Sequence, residues 1–146
     1  MRRFEIAKGY EGYNVILPAR KTEASAGYDF AAIEEYEVAP GENVIIKTGL
    51  KAKMENDEVL LCFIRSSLAL KKHIQLSNSV AVIDADYYGN PDNDGHIMLT
   101  VTNFSKDPVH IQKGERIGQG IFMKYLVTDD DVPGGKRLGG YGSTGK

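Results

Sequence analysis

Cysteine is all but missing from this 146-residue chain: Cys62 stands alone, so no internal disulfide framework can be written. It lies in the apolar run Val59-Leu-Leu-Cys-Phe-Ile64, where a buried reduced thiol is expected rather than a nucleophile. A reducing cytoplasm suits it. Excess charge is also lacking. A formal net charge of −2 gives no general basis for binding duplex nucleic acid or an anionic membrane surface, so basic residues must act locally. No apolar stretch approaches the ~20 residues needed to span a bilayer, and no basic segment leads into an apolar one at the N-terminus. A soluble, unexported protein is expected. Helical i, i+3, i+4 spacing is hardly sustained anywhere, which argues against an α fold.

What is present is a series of short apolar runs separated by Gly, Pro, Asn and Asp. These predict strands near Arg3–Ile6, Val15–Leu17, Tyr28–Ala31, Glu35–Val38, Asn43–Lys47, Lys51–Met54, Val59–Ile64, Ser79–Ile83, Ile97–Asn103, Val109–Ile111 and Ile117–Tyr125. So many short strands imply an all-β fold, a sandwich, jelly roll or barrel. With 42% apolar residues the chain supports one core and is too short for two comfortable domains. A β domain over residues 1–132 and a C-terminal arm over 133–146 are predicted. The arm holds six glycines and little apolar material, so it is mobile unless something pins it. Only Ser66–Lys72 reads as helix, with Ser66 or Ser67 as its cap.

The stretch Asn78-Ser-Val-Ala-Val-Ile-Asp-Ala-Asp-Tyr-Tyr-Gly89 reads as a strand entering a hairpin with two carboxylates, Asp84 and Asp86, at its tip. Such a hairpin can enclose a flat ring. Free backbone groups read the ring edge, Asn78 adds an amide, a tyrosine packs below, and Asp84 is a candidate base. The alternative is an ordinary hairpin with solvated acids. Arg65-Ser-Ser67 follows a buried strand and opens the one helix, where unpaired N–H groups, hydroxyls and a guanidinium suit a phosphate; the alternative is a plain cap beside an exposed arginine. In the tail, Tyr141, Ser143, Thr144, Lys136 and Arg137 can fold over a nucleotide and exclude water, against the alternative of a disordered end.

Three motif matches fail. Gly140 to Lys146 begins like a P-loop, but no Ser or Thr and no helix follow. Asn90-Pro-Asp-Asn-Asp-Gly95 suggests a calcium loop but has Val101 where a bidentate Glu is required. His73, His96 and His110 show no metal-ligand spacing and are expected to be structural or exposed.

Taken together, five stretches resemble, in order, the five motifs of the trimeric deoxyuridine triphosphatase (dUTPase) family: Ala26-Gly-Tyr-Asp-Phe-Ala-Ala32, Arg65-Ser-Ser-Leu-Ala69, Val82-Ile-Asp-Ala-Asp-Tyr-Tyr-Gly89, Gly114-Glu-Arg-Ile-Gly-Gln-Gly-Ile-Phe122 and Gly139-Gly-Tyr-Gly-Ser-Thr-Gly145. The resemblance implies a jelly-roll-like homotrimer with three active sites at subunit junctions. It implies hydrolysis of dUTP to dUMP and pyrophosphate, which limits uracil in DNA and supplies dUMP for thymidylate synthesis. By matching position, Asp84 would activate the water that attacks the α-phosphorus. Asn78 and the hairpin backbone, Ile83 included, would read uracil, and Tyr87 would lie under the deoxyribose. Arg65, Ser66, Ser67 and Gln119 would hold phosphate oxygens, with Arg137 or Lys136 meeting the γ-phosphate, while Tyr141, Gly142, Ser143 and Thr144 close over base and γ-phosphate. Mg2+ would be held mainly by the triphosphate and waters, with Asp29 acting through water.

The sequence departs from the pattern in places. Ala81 stands where glycine is common, Asn90–Asp94 looks inserted, and Lys136 rather than Arg137 has the usual offset of the arm's arginine. Two other functions compete. The related dCTP deaminases carry a catalytic glutamate where this chain has Thr100, which argues against deamination. A dUTP-sensing interaction protein would use the same arm to expose or hide a partner surface.

Overall fold

Along Glu58–Ile64 buried and part-exposed residues alternate, with Glu58, Leu60 and Cys62 inside, the signature of a strand with one face on a core. The same alternation runs through Met98–Asn103, where Leu99, Val101 and Asn103 are buried. The computed structural model describes residues 1–141. Its elements are β1 (Arg3–Ile6), β2 (Tyr28–Ala31), β3 (Tyr36–Val38), β4 (Asn43–Lys47), β5 (Leu50–Lys53), β6 (Glu58–Ile64), α1 (Ser66–Lys72), β7 (Ile74–Leu76), β8 (Ala81–Asp84), β9 (Met98–Asn103), β10 (Val109–Ile111) and β11 (Arg116–Lys124). They pair as a four-stranded sheet β2-β11-β6-β8, a three-stranded sheet β4-β9-β7 and two-stranded ribbons β1-β5 and β10-β3. Every pairing is antiparallel, and the result is a jelly roll.

The larger sheets face each other across a core of Phe30, Ile46, Leu60, Ile74, Leu99, Ile111 and Ile117, all fully buried. Truncating one such aromatic or aliphatic side chain costs about 2–5 kcal/mol. β11 comes close enough to its neighbours that a Cβ on Gly120 would lie 2.6 Å from the Phe30 ring. Glycine there lets Phe30 lie against the strand and join the ring cluster of Phe4, Tyr28 and Phe122.

Four expectations are corrected. Val15–Leu17 forms no strand: Asn14 turns the chain into the left-handed region at φ 55°, Pro18 lacks an N–H, and the edge of β2 is met by a single bridge from Arg20 to Tyr28. Ile74–Leu76, which directly follows the helix, is an unexpected strand on β9. The stretch after Asp84 is not a hairpin, because β8 pairs with β6 whereas β9 pairs with β4 and β7. The chain crosses between sheets, through a 3-10 turn at Ala85–Tyr87. α1 spans the expected residues, but its cap is Arg65 in extended conformation, with no side-chain capping bond. Ser66 and Ser67 occupy its first turn instead.

Candidate active site

The four-stranded sheet positions the candidate residues by register. β8 is its edge strand, so one row of β8 backbone N–H and C=O groups is left without a ladder partner. Ala81 and Ile83 point inward and are buried, while Val82 and Asp84 point outward and are exposed. The Ala81 methyl therefore packs in the core. Ile83, 7% exposed, has only its backbone to offer a ligand. Asn78 is exposed in the turn leading into β8.

Asp84 stands opposite Val59 of β6, and the 3-10 turn presents Asp86 beside it. Arg137 from the arm spans the two acids: Nη2 donates to Asp84 Oδ2 at 2.7 Å and Nε to Asp86 Oδ1 at 2.8 Å. Its side chain is 9% exposed although both carboxylates are more than half exposed. The guanidinium also lies over the Tyr87 ring, 5.6 Å from its centroid. Tyr87 is buried; its hydroxyl donates to the carbonyl of His96 at 2.7 Å and accepts from Asn93 Nδ2 at 2.8 Å. Burial raises the phenol's pKa, so it stays protonated as that donor. Tyr141 reaches Thr100, hydroxyl to hydroxyl, at 2.6 Å. A 690 Å3 cleft lies under the arm, lined by Asp84, Asp86, Asn56, Tyr125, Lys136 and Arg137 among others.

The phosphate-type donors sit elsewhere. Gln119 of β11 stands between Phe63 of β6 and Asp29 of β2, and Arg65 follows the end of β6, its N–H bonded to the Ile117 carbonyl at 2.8 Å. A Cβ on Gly27 would fall 2.0 Å from Gln119 Oε1, so the first motif's glycine is the bed on which that side chain lies. Asp29 accepts a bond from Arg116 Nη1 at 3.3 Å. The side chains of Arg65, Ser66, Ser67, Gln119 and Asn78 take part in no hydrogen bond or ion pair among the described residues.

One chain thus gathers Asp84, Asp86, Tyr87, Arg137 and Tyr141 at one end of the sheet, and Asp29, Gln119, Arg65, Ser66 and Ser67 at the other. From Val59 to Phe63 is four residues, about 13 Å of strand, so the two groups do not meet within the chain. Gly142, Ser143 and Thr144 lie outside the described residues. Sequence reasoning missed Asn93, whose bond to Tyr87 ties a segment that looked like an insertion to the site, and the role of Gly27, which stood in the first motif with no function attached to it.

A jelly roll with exposed acids at one end of a sheet and unpaired cationic, hydroxyl and amide donors at the other has the parts of an enzyme acting on a polyanion. The dUTPase family model matches residues 13–133. A deoxyuridine 5'-triphosphate nucleotidohydrolase of Lactococcus lactis is 50% identical over 99% of this chain and 98% of that protein, and one of Wolinella succinogenes is 31% identical over 91% and 89%. The crystal structure of the dUTPase from Streptococcus mutans superposes with a TM-score of 0.82 at 45% identity, covering 87% of this chain and 98% of that one. The chain belongs to the dUTPase family.

Proposed function

We propose that this chain, a dUTP hydrolase by family, cleaves dUTP to dUMP and pyrophosphate at sites completed between subunits. One observation carries the reading. Asp84 and Gln119 belong to the same sheet, and Arg65, Ser66 and Ser67 follow the far end of its strand β6, so the acid and these donors stand too far apart to share one phosphate chain. Between them the outer face is apolar, with Val82, Leu61 and Ile121 in one cross-strand row, and Val59 and Met123 continue the stripe in the row that holds Asp84 itself. Val82 and Met123 are at least half exposed. Covering that stripe with neighbouring copies would bury apolar surface and bring the acid of one copy to the donors of another. A homotrimer with three shared sites satisfies both requirements.

In such a site the sequence of events is simple. The triphosphate displaces Arg137 from the two acids, since a guanidinium pairs equally well with phosphate oxygens. Asp84, released, takes a proton from a water whose oxygen attacks the α-phosphorus. The bond from that phosphorus to the bridging oxygen breaks, and pyrophosphate leaves. Arg65, Ser66, Ser67 and Gln119 hold the phosphate oxygens, and positioning of this kind supplies most of the catalysis in phosphoryl transfer. The unpaired edge of β8, with Ile83 and Asn78, reads uracil; Tyr87 lies beneath the deoxyribose; Tyr141 closes over the base. Magnesium fits this donor set. Among the described residues no three His, Cys, Asp or Glu side chains group to hold an ion, and Asp29 is a lone carboxylate, so the metal would ride on the triphosphate and waters with Asp29 outside them. Bound there it neutralises phosphate charge. The buried, unpaired thiol of Cys62 suits a cytoplasmic setting.

Pyrophosphate release from dUTP, dTTP, UTP and dCTP with Mg2+ present tests the reading. Rapid release from dUTP alone supports it. Equal rates on all four, or none on dUTP, would overturn it.

A further inference from the structure

The loop Asn90–Asp94 has no part in the reaction as written, yet it is held by a dense set of its own hydrogen bonds. Asn90 is 5% exposed and satisfied on both sides. Its Nδ2 donates to the Tyr87 carbonyl and to Asn93 Oδ1, both at 2.8 Å, and its Oδ1 accepts from the N–H groups of Asp92 and Asn93. Asn93 Oδ1 also accepts from the N–H of Gly95 at 3.1 Å. Gly95 sits at φ 86°, with Tyr87 O only 2.8 Å from where a Cβ would be. Asp94 closes the far side on Lys51 Nζ at 2.8 Å and the Lys8 N–H at 2.9 Å.

From this frame two contacts reach outward. Asn93 Nδ2 donates to the Tyr87 hydroxyl, and Asp92 Oδ2 accepts from the N–H of Gly140 in the arm at 3.3 Å. Gly140 is buried and pressed so close that a Cβ there would lie 2.7 Å from Asp92 Oδ2, 2.8 Å from Asn93 Cγ and 2.9 Å from Asn93 Nδ2. Asn93 therefore serves both as brace for Tyr87 and, with Asp92, as dock for the arm.

We propose that the Asn90–Asp94 loop couples sugar selection to arm closure, with Asn93 the positioning residue that fixes the Tyr87 ring and Gly140 the arm residue that seats against it. This rests on the reading above that Tyr87 lies beneath the sugar and that the arm closes over the site. A phenol held by a donor on one side and an acceptor on the other cannot slide back to make room for a 2′-hydroxyl. Freed of Asn93, it is tethered to the His96 carbonyl alone.

The test compares Asn93→Ala, Asn93→Asp, Gly140→Ala and the Asn93→Ala/Gly140→Ala double variant in the full chain. Two readouts are used: kcat/KM on dUTP and on UTP, and tryptic cleavage after Lys136 and Arg137 without substrate. Asn93→Asp keeps the loop's own bonds through one oxygen and replaces the donor facing Tyr87 by a charged acceptor, so it removes the brace with the loop intact if the alanine variant misfolds. Both Asn93 variants should lower the preference for dUTP over UTP about tenfold, with kcat on dUTP within about threefold of the parent. Gly140→Ala should speed arm cleavage about tenfold and raise the KM for dUTP, and in the Asn93→Ala background, where the clash with Asn93 is relieved and only that with Asp92 remains, it should do less. Unchanged preference in a folded Asn93→Asp, or unchanged cleavage in Gly140→Ala, overturns the proposal. A parent protein that released no pyrophosphate from dUTP would instead sink the reading of the reaction, while the cleavage comparison still decided the dock.

Discussion

The two ends of the four-stranded sheet's outer face hold similar chemistry in opposite states. At the β8 end both acids are already paired, by a guanidinium whose own side chain is 9% exposed. At the other end Arg65, Ser66, Ser67 and Gln119 have no side-chain partner among the described residues. The acid end can rest closed because the chain brings its own cation; the donor end has to wait for an anion. On the proposed reading, a base guarded by a removable arginine and a set of open donors divide the work of phosphate hydrolysis between what is displaced and what is filled.

Removing the base attacks that division most directly. Asp84→Asn leaves the donor end untouched, so dUTP affinity, measured by calorimetry, should persist while kcat falls about 10²–10⁴-fold. Near-normal turnover would mean that Arg137 guards a carboxylate of no consequence.

The same division can be tested by restoring it. Asp84→Asn and Arg65→Ala damage opposite ends, and neither variant alone should turn over well. Co-expressed, they can form mixed assemblies in which the intact acid of one chain meets the intact donors of another. About a quarter of the junctions should then be complete if chains associate at random in a closed ring. Recovery to about that fraction of parental activity is expected, and activity no greater than the mean of the separate variants would show that each chain builds its site alone.

The legibility of the two ends differed as well. Gln119 could be placed on a strand, and Asp84 and Arg65 directly after strands, from β-branched alternation, because one-sided burial imposes a period of two; β8 in fact runs on to include Asp84. The helix Ser66–Lys72 was legible to the residue. The partner of each strand was not, and so the stretch after Asp84 read as a hairpin although β8 and β9 lie in different sheets; pairing over long sequence separations leaves no local mark. Val15–Leu17 has strand composition without an available edge, and Val15 packs against the core while Ile16 is 85% exposed. Ile74-Gln-Leu76 does alternate, but three residues after a helix are too few to register. The bracing role of Asn93 depends on side chains folding back over a turn, which no spacing rule contains.

Acid should disturb one end before the other. His96 is 3% exposed, stacks on Tyr10 and accepts the Gly49 N–H at Nε2, and burial lowers its pKa to about 4. The unfolded chain takes up this proton near pH 6.5 and the folded chain only near 4. Stability is therefore intact above 6.5 and is lost as pH falls through that window, by up to about 3 kcal/mol. The His96 carbonyl also holds Tyr87, so the β8 end bears the loss. Urea midpoints followed from pH 7.5 to pH 4 should drop more steeply for the parent than for His96→Gln, which has no proton to take up. Parallel curves would remove His96 from the account.

The smallest expected effect lies at the donor end. A methyl on Gly27 would occupy the bed of Gln119, 2.0 Å from Oε1 and 2.9 Å from Cδ; the obstacle is the tip of a flexible side chain, so Gly27→Ala displaces the amide rather than the fold. Its urea midpoint should match the parent's. Losing one phosphate contact equally from bound substrate and transition state raises KM about fivefold with kcat unchanged. Gln119→Ala should have the same effect, and the double variant should be no worse than either, because two routes to removing one contact cannot add. If the two effects multiplied instead, Gly27 would act on the site by a path other than Gln119, and the donor end would be built from more than the side chains that now stand open in it.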